Sequence, residues 1–263
     1  MNRRNKYLSA FTIAVREQLQ YLPAHVSRNI FFIFILFIFY SLWRVVFAER
    51  PVISGFTMQQ TLWYLTITET VELSKARAFA RIQTEVKDGS IAYSLLRPLR
   101  YPFFKIPGFV GESMVRAVPV LVEGFVIATL MAGLLPGYFK ALPAGILLII
   151  GGIIINTLWY TAIGLLAFWT EEVSPFYFIM QKLIFILGGL FFPIDFFPER
   201  LAQISKVLPF SFVAYWPAKI VVDFSTDLFL YALLGQLIYI AIFAAIVAGI
   251  FETAKRRVHV QGG

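Results

Sequence analysis

Four stretches of this chain, Asn29–Phe47, Phe109–Leu135, Leu142–Phe168 and Leu228–Phe251, are almost unbroken runs of apolar residues. About 20 such residues are what a helix needs to cross a bilayer. Inside lipid the backbone must satisfy its own hydrogen bonds, so runs of this length specify helices. A fifth run, Tyr177–Phe192, is shorter but strongly apolar. A sixth, Thr61–Leu73, is interrupted by Glu69 and Glu72, and gains length only if Phe56–Gln60 and Ser74–Ala80 extend it. The expectation is an all-α polytopic membrane protein with six transmembrane helices in a single domain over residues 1–263. Composition agrees: 59% of the residues are hydrophobic, against roughly 45–50% in a soluble domain. Cysteine is absent, so there is no disulfide framework and no thiolate metal site.

The net charge of +8 belongs to loops, which argues for a membrane partner and against nucleic acid. Arg3, Arg4, Lys6 and Arg16 precede the first run. Lys75, Arg77, Arg81, Lys87, Arg97, Arg100 and Lys105 lie between the second and third, and Lys255, Arg256 and Arg257 follow the last. The alternate connections are poorer in Lys and Arg, so the positive-inside rule places both termini in the cytoplasm of a multi-pass protein. The connection Thr170–Pro175 breaks the pattern, being on the cytoplasmic side yet carrying Glu171 and Glu172. At the N-terminus Leu8, Phe11, Val15, Leu19 and Leu22 recur every three or four residues. That spacing predicts an amphipathic interfacial helix over 5–23, ended by Pro23, and not a signal peptide.

Two segments break the simple picture. After the fifth run, Gly188-Gly189 loosens the helix and Phe191-Phe192-Pro193-Ile194-Asp195-Phe196-Phe197-Pro198 follows. The pieces Leu201–Leu208 and Phe212–Val222 are then interrupted by Pro209 and Pro217, and each is too short to span. Region 193–225 therefore reads as re-entrant helices on the outer side, with a plain outer loop as the alternative. The second segment is the basic loop over 82–105. There Gly89 allows a sharp turn, Ser90 can cap a short helix, Ile91, Leu95 and Tyr93 give that helix an apolar face, and Pro98 ends it. So short a helix needs a surface to pack on: the end of its own bundle, or a groove in a partner.

Charged residues inside apolar runs are the remaining candidates. Glu112, Arg116 and Glu123 lie within roughly 40° of one another around a helix. They form one polar face that either lines a translocation path or is paired structurally. Glu69 and Glu72 share a face in the same way, with Lys75 and Arg77 as partners. Lys182 is expected to snorkel. No Gly-x-x-x-x-Gly-Lys-Ser/Thr occurs in the chain, and His25 and His259 stand near opposite ends, so neither a P-loop nor a metal site is expected.

The segments Gly89-Ser90-Ile91-Ala92-Tyr93-Ser94-Leu95-Leu96-Arg97-Pro98-Leu99, Leu165-Leu166-Ala167-Phe168-Trp169, Gly188–Pro198, Leu208-Pro209-Phe210 and Arg256–Gly263 resemble, in order and spacing, type-2 ABC transporter permeases of bacteria. The resemblance implies a dimer of permease protomers, copies or homologous chains, each docked on an ATP-binding cassette subunit that holds ATP and Mg. It makes Gly89, Ser90, Ile91, Tyr93, Leu95, Leu96 and Arg97 the coupling helix facing that subunit. Pro193, Asp195, Phe196 and Pro198 fall in the outer gate region, and no catalytic residue is carried over. The function implied is ATP-driven export of an amphipathic compound (drug-like, lipid or organic cation) across the bacterial plasma membrane, with no cofactor on this chain. A membrane enzyme acting on lipid, or a passive channel for a small polar solute, are the alternatives.

Overall fold

The computed structural model describes residues 3–20, 26–96 and 99–257. Helix α1 (Arg3–Gln20) precedes α2 (Val26–Glu49), and a two-strand hairpin, β1 (Val52–Ile53) and β2 (Phe56–Thr57), leads into α3 (Met58–Ser74). The hairpin is the one departure from an all-α chain among the described residues. Its turn uses Ser54 and Gly55, both at positive φ, as a two-residue turn requires. Thr57 and Gln60 then form a reciprocal capping box that starts α3.

Helices α4 (Ala78–Lys87) and α5 (Ile91–Leu95) occupy the basic loop, before α6 (Tyr101–Ala132) and α7 (Tyr138–Leu165). Then come α8 (Ser174–Leu187), three short helices, α9 (Glu199–Val207), α10 (Pro209–Val213) and α11 (Tyr215–Val222), and finally α12 (Thr226–Ala254). Among the described residues four helices are long and apolar enough to cross a membrane: α2 over Ile30–Glu49, α6, α7 and α12. The expected second span is α3, 17 residues long and buried along most of its length. The fifth is α8, of 14 residues. Both occupy the expected places, but neither has the length of the other four.

Buried α3 hides its hydroxyls by turning them onto its own carbonyls. Thr66 Oγ1 donates to Leu62 O (2.8 Å) and Thr70 Oγ1 to Thr66 O (2.8 Å). Side chains from neighbouring elements take up free helix ends. Trp63 Nε1 donates to Gly133 O (3.0 Å) and Gln59 Nε2 to Ala132 O (2.9 Å), both at the end of α6.

The region after α8 packs inside the bundle. Nearly all of 210–222 is buried, with α11 against α3 and α7 and α10 against α7. Each short helix leaves end carbonyls that need partners where they are buried, and distant donors reach them. Trp216 Nε1 bonds Lys206 O (3.0 Å), Tyr239 OH bonds Val207 O (2.6 Å) and Gln236 Nε2 bonds Phe212 O (2.9 Å). Pro209 separates α9 from α10 as expected, and Pro217 does not interrupt its helix. Pro209 opens α10, and Pro217 sits in the first turn of α11, where its missing N–H would have no partner anyway. The break falls at Ala214 instead.

Helix α1 lies along the first half of α6, where Gly108 and Gly111 face Ala10, Phe11 and Ala14. Phe11 and Val15 belong to the packed side. Leu8 and Leu19 are exposed, together with Ile13, so the apolar face drawn from the sequence is divided between α6 and the outside. Leu22, Pro23 and His25 lie outside the described residues.

Candidate functional site

The loop between α3 and α6 begins where α3 stops, at Lys75 in an extended conformation. Helix α4 packs on α7 and ends at Asp88, and Gly89 follows with φ +74°. A Cβ there would meet nothing within 4 Å, so the glycine is needed for its backbone conformation and not for space. Ser90 does not cap α5 with its side chain as expected. Its N–H instead donates to Asp88 Oδ1 (2.9 Å), and the carboxylate two residues back closes the turn.

Helix α5 divides its residues between two surroundings. Ile91 is 3% exposed and belongs to the bundle core, and Leu95 is half-buried against it. Tyr93 and Leu96 face outward, 77% and 83% exposed. The face available to another molecule is therefore Tyr93 and Leu96, while Ile91 anchors the helix to its own bundle. Arg97 and Pro98 lie outside the described residues.

The segment is braced on both sides. Glu85 accepts from Tyr101 OH (2.8 Å) and pairs with Lys105 Nζ (2.5 Å), tying α4 to the start of α6. Glu172, in the connection between α7 and α8, accepts from Gln83 Nε2 (3.0 Å) and Lys87 Nζ (3.2 Å) of α4. It also accepts from Ser174 Oγ (2.6 Å) and N–H (3.0 Å) at the start of α8. This accounts for an acid in an otherwise basic setting: it clamps α4 to α8. Hydrogen bonds, first those from Ser174 and then those from Gln83 and Lys87, hold the Glu172 carboxyl down at about 2. A depressed carboxyl stabilises above its unfolded value of ~4.3 and loses the effect only as pH falls toward the folded one, so the clamp is charged throughout neutral conditions.

The charged face expected on the third span resolves into separate parts. Glu112 is 2% exposed. It pairs with Arg116 on its own helix and, through both oxygens, with Arg81 of α4 (2.6 and 2.9 Å). Arg116 also donates to Gln18 Oε1 (3.3 Å) and to Lys75 O (3.4 Å), joining α1 and the end of α3. At 1.5 Å per residue, Arg116 stands about 24 Å along α6 from Ala132, near the edge of a ~30 Å apolar slab. Glu112 and Arg116 thus join α6 to α1, α4 and the end of α3. Glu123 lies about 10 Å deeper, half-buried, and its Oε2 has no hydrogen-bond partner among the described residues.

Glu72 pairs with Lys75 and accepts from Gln181 Nε2 of α8 (3.3 Å). Lys75 Nζ also stands over the rings of Tyr160 and Tyr177. Glu69 is buried beside them, and Arg77, expected to join the cluster, makes no ion pair with a described residue. Lys182 is exposed on α8 and lies over Phe178 and Phe185 of its own helix, 5.0 and 5.6 Å from the ring centres.

At the opposite end of the bundle Pro193 precedes a 3-10 turn over Ile194–Phe196 and Pro198 precedes α9. Asp195 accepts from Lys206 Nζ (2.7 Å) and Tyr215 OH (2.9 Å), and Phe196 packs edge-on against Trp43 and Phe56. These residues tie the short helices to α2 and to the hairpin.

A family model described as ABC-2 family transporter protein matches residues 31–262. No curated protein matches the chain.

Proposed function

The chain belongs to the ABC-2 family as a membrane-embedded transporter subunit, and on that premise we propose that it is the permease of a bacterial exporter whose ATP is hydrolysed by a separate cassette subunit. Its basic end faces the cytoplasm and carries both termini in the plasma membrane. Six helices, α2, α3, α6, α7, α8 and α12, form the membrane bundle. Helices α10 and α11 enter it from the outer side and return, and α1 lies along the inner boundary. The cargo is an amphipathic compound, and a second permease protomer completes the path. Support for that partner comes from α8, where only Ile184 is buried, and from Glu123, whose Oε2 has no hydrogen-bond partner among the described residues.

The observation that carries the coupling role is the two-sided packing of α5. Ile91 is locked into the bundle while Tyr93 and Leu96 stand in the open. A push on the exposed pair would pass through Ile91 to the bundle core, and through the chain to α4, which Glu85 ties to α6 and Glu172 to α8.

The test is co-purification with the cassette subunit of its own system. Tyr93→Asp combined with Leu96→Asp should reduce recovery of that subunit about tenfold or more, since a charge buried without a partner costs several kcal/mol. The melting temperature of the permease should stay unchanged, because both positions are exposed. Ile91→Asp should instead lower the melting temperature by itself. Full recovery with the double variant would place the docking face elsewhere.

A further inference from the structure

We propose that the cavity between α4 and α6 binds the phosphate of an acidic phospholipid at the inner edge of the membrane. The cavity measures about 590 Å³, and its lining includes Arg77, Arg81, Thr84, Glu85, Glu112 and Arg116. Its charge is not balanced. Arg81 and Arg116 share the single carboxylate of Glu112, and Glu85 is held by Lys105 and Tyr101. Arg77 is exposed and makes no ion pair with a described residue. Arg77 thus brings to the cavity a guanidinium that no carboxylate among the described residues answers. Guanidinium forks match phosphate oxygens in geometry as well as charge.

Position selects a lipid as the source of that phosphate. Arg116 stands near the edge of the apolar slab, so the cavity opens at headgroup level. Helix α1 reaches it through Gln18, and the next residue, Leu19, is exposed and apolar. A headgroup in the cavity would therefore have apolar surface beside it for its acyl chains. Basic pockets between helices on the cytoplasmic side are suited to anionic headgroups. The inference does not depend on the cargo or on the direction of transport.

The experiment uses the full-length chain in detergent. Lipid binding is followed by native mass spectrometry and by melting temperature, with phosphatidylglycerol, phosphatidylcholine and inorganic phosphate as probes. Phosphatidylglycerol should bind and stabilise, and the other two should not. Arg77→Gln should weaken phosphatidylglycerol binding about tenfold, the loss of one charge-assisted contact, and leave the lipid-free melting temperature unchanged. Thr84→Glu, which supplies the missing carboxylate, should weaken it as well. Equal binding of phosphatidylcholine, or wild-type affinity in both variants, would overturn the proposal. Equal stabilisation by inorganic phosphate would make this a free-anion site and overturn the lipid assignment. Stabilisation by the cassette subunit that disappears in Arg77→Gln, with no response to phosphatidylglycerol, would assign the cavity to that protein instead.

Discussion

Glu112→Ala should be among the most destabilising substitutions in the chain. It removes the buried carboxylate on which Arg81 and Arg116 close. Breaking a buried ion pair from one side costs about 3–5 kcal/mol, because the remaining charge keeps its desolvation penalty. Arg81 is half in water, so the lower end of that range applies. At about 2–4 °C per kcal/mol the melting temperature should fall by about 6 °C or more. Arg81→Gln should cost far less, since Arg116 still answers Glu112. Transport per folded complex should be unchanged in both variants. An unchanged melting temperature with altered transport would return Glu112 to the translocation path.

Gly152→Leu should be comparably damaging through packing alone. A Cβ at this position in α7 would lie 2.6 Å from the backbone oxygen of Val213 in α10. That atom cannot swing aside as a side chain would, so α10 must move away from α7. Overpacking typically costs about 1–3 kcal/mol, and a clash with backbone belongs at the upper end of that range. Loss of the contact would also pull Phe212 O from Gln236 and expose the carbonyls of a helix buried in the bundle. Gly249→Ala is the matched control: a Cβ there meets nothing within 4 Å, and removing a helix-interior glycine should stabilise by up to about 1 kcal/mol. Thermal unfolding of the two variants in one detergent distinguishes close approach from a general intolerance of glycine replacement.

The long helices were legible because each rests on a local signal, an apolar run of bilayer length bounded by charge or glycine. The same holds for the turn at Gly89, the loosened end of α8 at Gly188-Gly189, and the pairing of Glu112 with Arg116. What the sequence concealed is long-range. The donors that satisfy the broken helices, Trp216, Gln236 and Tyr239, are ordinary residues whose partners depend on how the chain returns into the bundle. Arg81 meets Glu112 across 31 positions, a distance at which periodicity is silent. The helical spacing of Leu8, Phe11, Val15 and Leu19 identified a real helix, but it could not anticipate that Gly108 and Gly111 would draw one flank onto α6. On α5 the apolar residues were read as one face, although a helix of five residues has room to bury Ile91 only by turning Tyr93 and Leu96 outward.

Under the proposed function, energy enters this chain from outside, through contact with a separate ATP-hydrolysing subunit. ATP hydrolysis by the purified permease, alone and reconstituted in vesicles with the cassette subunit of its system, tests this most directly. The permease alone should show no hydrolysis above background, because no phosphate-cradling loop exists in its sequence. The reconstituted complex should hydrolyse ATP, and the Tyr93→Asp, Leu96→Asp variant should return that activity to the level of the cassette subunit by itself. Hydrolysis by the permease alone, or identical rates for the complex with and without the exposed pair, would contradict an external energy source coupled through α5.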